Sequence, residues 1–104
     1  MIKMIFLVHR RPELSPDQFR KHWRDTSGAS GCKIPGLRKC VQHHAVPGPD
    51  EGEPPYDGFA EMWWDDAESL QKALESPEGK GAVEDIETIV GRQDVFVVEQ
   101  HVMV

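Results

Sequence analysis

From Ile2 to Val8 the chain runs Ile-Lys-Met-Ile-Phe-Leu-Val, with Lys3 the one polar residue. A segment so rich in β-formers and so short reads as a strand, extending to His9. What constrains the fold is that this strand is apolar on both sides. Ile2, Met4, Phe6 and Val8 point one way, Ile5 and Leu7 the other. Two later segments repeat the pattern: Phe59 and Trp63 oppose Ala60, Met62 and Trp64, while Phe96, Val98, Val102 and Val104 oppose Val95, Val97 and Met103. A sheet covered by helices on one face and wetted on the other alternates apolar with polar residues. Here the second face needs its own cover. The simplest is a second copy of the chain, two sheets packed face to face about a two-fold axis into a barrel. A homodimer is expected.

The segments between the strands carry strong helix signals. In Leu14-Ser15-Pro16-Asp17-Gln18-Phe19, Ser15 is placed as N-cap, Pro16 at the first helical position and Gln18 to close a capping box, with Leu14 and Phe19 as hydrophobic staple. Phe19 and Trp23 share one face. This helix is expected to run to about Thr26, where Gly28 and Gly31 loosen the chain before a turn at Pro35-Gly36. A second strand follows at about Leu37 to Ala45. The segment 47–55 holds four prolines, two glycines and three acids, which reads as a surface loop. A third strand, Tyr56 to Trp64, leads through Asp65-Asp66 into a helix with Ala67, Leu70 and Leu74 on one face. Ser76-Pro77 opens a shorter helix carrying Ala82, Val83 and Ile86, and the last strand is expected from Asp94 to Val104. The order βαββαβ predicts a ferredoxin-like α+β fold, one domain over residues 1–104, with a four-stranded antiparallel sheet and helices on one face.

Charge and composition exclude several classes. The 104 residues carry 12 Lys+Arg against 18 Asp+Glu, a formal charge of −6, so there is no positive surplus for nucleic acid. The longest unbroken apolar run, Met4 to Val8, is far short of the roughly 20 residues a membrane helix needs. The chain reads as a soluble cytoplasmic protein with neither nucleic acid nor membrane as partner. Cys32 and Cys40 read as free thiols. His43 and His44 are adjacent and point to opposite strand faces, so no metal site is expected. No phosphate-cradling glycine loop and no serine nucleophile elbow occur, and no cofactor is predicted.

The odd-numbered residues of the strands are assigned to the inter-subunit face, and they include the polar exceptions His9, His43, Glu61, Glu99 and His101. Polar groups interrupting apolar walls are the composition of a ligand pocket. Glu61 lies between Ala60 and Met62, where a carboxylate destabilises a strand unless it is paired or used. Chemistry in such a pocket would be proton transfer by His or Glu.

At this point the residues resemble a family. The capped start Leu14 to Phe19, then His22-Trp23-Arg24-Asp25-Thr26 with Gly28, Ile34-Pro35-Gly36-Leu37-Arg38, Tyr56-Asp57-Gly58 leading into Glu61-Met62-Trp63, and the closing Phe96-Val97-Val98-Glu99 are similar to the EthD family over almost the entire chain. The resemblance implies a dimeric α+β barrel. That superfamily also holds lactone isomerases, polyketide cyclases and decarboxylases, cofactor-independent quinol-type monooxygenases and haem-degrading enzymes. One departure stands out: where the family shows His-Gly-Pro-Leu, this chain has Ser27-Gly28-Ala29-Ser30. A serine hydroxyl hydrogen-bonds but does not titrate near neutral pH. The proton work then falls to His22, His43 or Glu61, or this member has no catalytic activity.

The expected function is that of a small cofactor-independent enzyme using acid-base chemistry on an apolar carbonyl-bearing or aromatic metabolite. Glu61 and His43, with His22, would carry protons, while Ser27, Trp63, His9 and Trp23 would hold the ligand. The alternative is a non-catalytic accessory protein that binds such a metabolite, and a third reading is haem binding.

Overall fold

The computed structural model describes residues 1–50 and 52–104. Four strands, β1 (Ile2–Arg10), β2 (Lys39–His44), β3 (Gly58–Trp64) and β4 (Val90–Val98), form one antiparallel sheet in the order β2-β3-β1-β4. This is the ferredoxin-like arrangement, with α1 (Pro16–His22), a π-helical turn (Trp23–Ser27), α2 (Gly28–Gly31), α3 (Ala67–Glu75) and α4 (Pro77–Glu87) as its helical elements.

The caps form where the sequence places them. Gln18 N donates to Ser15 Oγ at 3.1 Å and Ser15 N to Gln18 Oε1 at 2.9 Å, closing the capping box. Ser69 N donates to Asp66 Oδ1 at the start of α3, and Gly79 N to Ser76 Oγ at the start of α4. Ser76 Oγ itself donates to the Ala73 carbonyl at 2.6 Å, so one hydroxyl ends α3 and begins α4. The helices meet there so closely that a Cβ at Gly79 would lie 2.0 Å from that carbonyl oxygen.

The first helix does not fray near Thr26. Between Trp23 and Ser27 the chain takes a π turn, with Gly28 N bonded to the Trp23 carbonyl, and helix resumes over Gly28–Gly31. The Trp23 carbonyl also accepts the Gln42 side-chain amide of β2 at 2.8 Å, an anchor from the sheet that favours the wider turn.

Two apolar clusters lie between the sheet and the helices. One joins Val8, Phe19, Trp23, Ala60, Ile89 and Val90, with Leu14 packed against it; the other joins Ile34, Trp64, Leu70 and Ala73. Each large side chain that is fully buried, Trp23, Trp64, Phe19 and Val8, contributes roughly 1.5–3 kcal/mol.

The register assigns the faces. Met4 lies opposite Met62 and Cys40 opposite Met62, so even-numbered residues of β1, β2 and β3 face the helices and odd ones face away. In β4 the parity reverses, because Ile5 pairs with Phe96 and Phe6 with Val95. The outward residues of β4 are thus Phe96, Val98 and Asp94, which corrects the odd-numbered assignment for this strand.

Its limits differ as well. β4 begins at Val90, opposite Arg10, and ends at Val98, opposite Lys3, one residue short of the start of β1. Glu99 and His101 therefore lie beyond the strand in exposed coil rather than on its outer face. The described residues of 47–55 contain neither helix nor strand and are exposed, and Glu51 lies outside the described residues. No helix among the described residues is long and apolar enough to cross a membrane.

Candidate functional site

A cavity of about 220 Å³ opens between the helices and the inner face of the sheet. Its walls are mostly apolar, including Phe6, Met62, Ala82 and Ile86, with Leu74, Val83 and Val95 exposed at its mouth. Trp23 and Trp64, the two largest of the buried side chains, both form part of the wall. Four polar side chains interrupt this surface: Ser27, Cys40, Gln42 and Gln93.

Ser27 sits at the end of the π turn and donates from Oγ to Asp85 Oδ2 of α4 at 2.5 Å. The other oxygen of that carboxylate, Oδ1, is 3.0 Å from His22 Nε2. An ionised carboxylate only accepts, so the His22 proton resides on Nε2. Asp85 therefore joins His22 of α1 to Ser27 across the helix pair, its side chain 19% exposed.

The other side of the cavity is fixed by Gln42. Its Nε2 donates to the Trp23 carbonyl, which can only accept, and this settles the amide orientation. Its Oε1 then takes the proton of His44 Nε2 at 2.9 Å. Burial, with the positive charges of Arg20 and Arg24, holds His44 below the usual histidine range and hence neutral near pH 7. The Cys40 thiol is pushed up by burial, which keeps it protonated and unreactive.

The structure divides the residues singled out from sequence between two faces. Ser27 and Trp23 line the cavity, and His22 reaches it through Asp85. Glu61, His43, Trp63 and His9 lie on the opposite face of the sheet. There Glu61 accepts from Lys3 Nζ and from His43 Nε2, both at 2.6 Å. The Lys3 bond, reinforced by His43, holds the Glu61 carboxyl below the usual carboxylate range despite partial burial. Lys3 and Lys39 both stand 5.0 Å from the centroid of Trp63, His43 stacks on Phe59, and His9 packs on Tyr56. The pocket expected on the odd-numbered face thus has its counterpart on the inner side, while the outer face carries an ion-paired cluster.

Asp85 and Gln42 escape a reading of the sequence alone, although a signal existed for each. Asp85 falls three residues after Ala82 and one before Ile86, a carboxylate on the apolar stripe of its helix. Gln42 alternates with Cys40 and His44 on the strand face turned toward the core. Among the described residues no three His, Cys, Asp or Glu side chains gather as metal ligands would.

The EthD domain model matches residues 11–93. No curated protein matches the chain. Among solved structures, an ethyl tert-butyl ether d (EthD) family protein from Bacillus halodurans C-125 is 33% identical, with a TM-score of 0.84 over 97% of this chain and 99% of that one. A DABB family protein with a ferredoxin-like fold from Mesorhizobium loti is 14% identical, with a TM-score of 0.77 over 96% of each chain. A dimeric protein of ferredoxin-like fold from Bacteroides fragilis is 17% identical, with a TM-score of 0.72 over 95% of each. The last two are alike in fold alone. The domain match and the identity to the Bacillus protein together establish that the chain belongs to the EthD family.

Proposed function

We propose that this chain acts as a homodimer in which each protomer binds a small apolar metabolite in the cavity between sheet and helices and transfers a proton to or from it. The reading rests on one observation: the Asp85 carboxylate stands directly behind Ser27 at the wall of a mostly apolar cavity. A ligand hydroxyl meeting Ser27 Oγ would pass its proton to that oxygen as the Ser27 proton moves to Asp85 Oδ2. His22, bonded to Oδ1, positions the carboxylate. Apolar walls strengthen each of these interactions by excluding water. Positioned acid-base groups of this kind contribute about 10²–10⁴ in rate. Deuterium exchange or turnover of hydroxy-aromatic compounds and lactones, followed by NMR in D2O, tests the assignment. Asp85→Asn should lower the rate about a hundredfold or more; equal rates in the two proteins would remove the trio from the mechanism.

Glu61, His43 and Trp63 belong in this proposal to the subunit interface rather than the reaction. Ile5, Leu7 and Phe96 share their face, Phe96 being 51% exposed in the protomer. The Bacteroides relative is described as dimeric, which favours the same assembly here. A cytoplasmic metabolic role accords with the acidic charge and the free cysteines.

The same cavity would also serve a carrier that binds without turnover. Ser27 at the position of the family histidine favours this second reading, since it removes a titrating group from the wall. Saturable ligand binding without exchange or turnover would establish it.

A further inference from the structure

The hydrogen bonds already made at the cavity wall decide what a ligand is able to offer there. Ser27 has one proton, and it is committed to Asp85 Oδ2. What remains on Ser27 Oγ is lone pairs, with a negative charge one hydrogen bond behind them. Gln42 presents the opposite polarity. Its oxygen is taken by His44 and one of its N–H groups by the Trp23 carbonyl, so its second N–H is the group left for a ligand. Both line the same cavity, and Gln42 Nε2 is 3.6 Å from where a Cβ on Gly28, the residue after Ser27, would stand. Gln93 and the Cys40 thiol are the other polar side chains of the wall, and the rest of it offers apolar contact.

Given the reading of this cavity as the ligand site, we infer that it selects uncharged ligands bearing a hydroxyl on an apolar or aromatic body, and rejects carboxylates. Ser27 and Gln42 are its specificity-determining residues. A hydroxyl donates to Ser27 Oγ and can accept from Gln42 with its own oxygen. The Asp85 charge behind Ser27 strengthens the first bond. A carboxylate brings only lone pairs and a negative charge, so at Ser27 it meets lone pairs and the field of Asp85. An unsubstituted hydrocarbon fits the walls but leaves the polar pair unmatched.

Equilibrium binding of three probes of similar size tests this: naphthalene, 1-naphthol and 1-naphthoate, titrated at pH 7 into the protein and into Ser27→Ala and Ser27→Thr. In the unaltered protein 1-naphthol should bind about tenfold tighter than naphthalene, the worth of one good hydrogen bond. The 1-naphthoate should bind more weakly than either. Ser27→Ala should abolish the preference for naphthol while leaving naphthalene affinity within about twofold, and Ser27→Thr, which keeps the hydroxyl, should retain it. Equal affinity for naphthol and naphthalene, or tighter binding of naphthoate, overturns the inference while leaving the cavity as a ligand site. Failure of all three probes to bind overturns the cavity reading itself. The order of the three ligands in the unaltered protein decides the matter even if a Ser27 variant fails to fold.

Discussion

Replacing Gly79 by alanine sets two effects of known size against each other. In an ordinary helix interior the change stabilises by roughly 0.5–1 kcal/mol, because alanine loses less backbone freedom on folding. Gly81, two residues further along α4, is such a position: its Cβ would meet nothing among the described residues within 4 Å. At Gly79 the new Cβ would stand 2.0 Å from the Ala73 carbonyl oxygen, and α3 and α4 would have to part by about 1.4 Å to reach the 3.4 Å of ordinary contact. That carbonyl is also the acceptor for Ser76 Oγ, so the shift strains the residue that caps α4. Overpacking of this kind costs about 1–3 kcal/mol and a weakened N-cap about 1 kcal/mol, which together outweigh the propensity gain. Gly79→Ala is expected to destabilise by roughly 2 kcal/mol, a fall in Tm of roughly 8–16 °C for a domain of this size. Gly81→Ala should raise Tm by a few degrees. Thermal melts by circular dichroism, at one protomer concentration so that dimerisation stays constant, compare the three proteins. A Gly79→Ala protein as stable as the parent would show that the helix contact at Ser76 is looser than the geometry states.

Two further outcomes are expected on the outer face. Glu61 has a folded-state pKa below its ordinary 4.5, so its stabilisation is present above that value and is lost as pH falls through the depressed one. Melts taken from about pH 5 to about pH 3 should show a shallower acid loss for Glu61→Gln than for the parent. Asp65, held low by Arg38, and Asp66, held low as an N-cap, sustain part of the slope in both. Identical slopes would mean that the Lys3–Glu61–His43 cluster contributes nothing to acid stability. Phe96→Glu puts a charge on the exposed apolar face and should convert a dimer at micromolar concentration into a monomer by sedimentation, whereas a stable monomer in the parent protein would sink the homodimer proposal.

Local rules made much of the fold readable from sequence. The caps at Ser15 and Ser76 need only their own neighbours and formed as expected, and the helix expected after Asp65-Asp66 starts with Asp66 as its cap. Apolar residues on both strand faces marked the outer face of the sheet as one requiring a cover. Features that depend on how distant segments meet stayed hidden. Phe96 rather than Val97 faces outward because of the antiparallel register with β1, which no pattern within β4 encodes. The last strand stops at Val98 although Val102, Met103 and Val104 would suit a strand, because in the register with β1 only Ile2 and Met1 remain past Lys3 and those three residues would have no partner there. The candidate site follows the same division. Ser27, Trp23 and His22 were recognisable individually, but the carboxylate linking two of them comes from a helix some sixty residues away and meets them only through tertiary packing.

The π turn has a geometric consequence of its own. An α-helix advances about 100° per residue, and a π turn closes over one residue more than an α turn, so it takes up an additional residue while leaving the helix after it close to its former phase. Removing one residue between Trp23 and Ser27 would let that turn close as ordinary α-helix, with Gly28–Gly31 near its present orientation. The hydroxyl bonded to Asp85 would keep its carboxylate, and the change would fall on the turn itself, where the Trp23 carbonyl meets the Gln42 amide. The wider turn therefore holds its additional residue at the anchor to the sheet without disturbing the chemistry that faces the cavity.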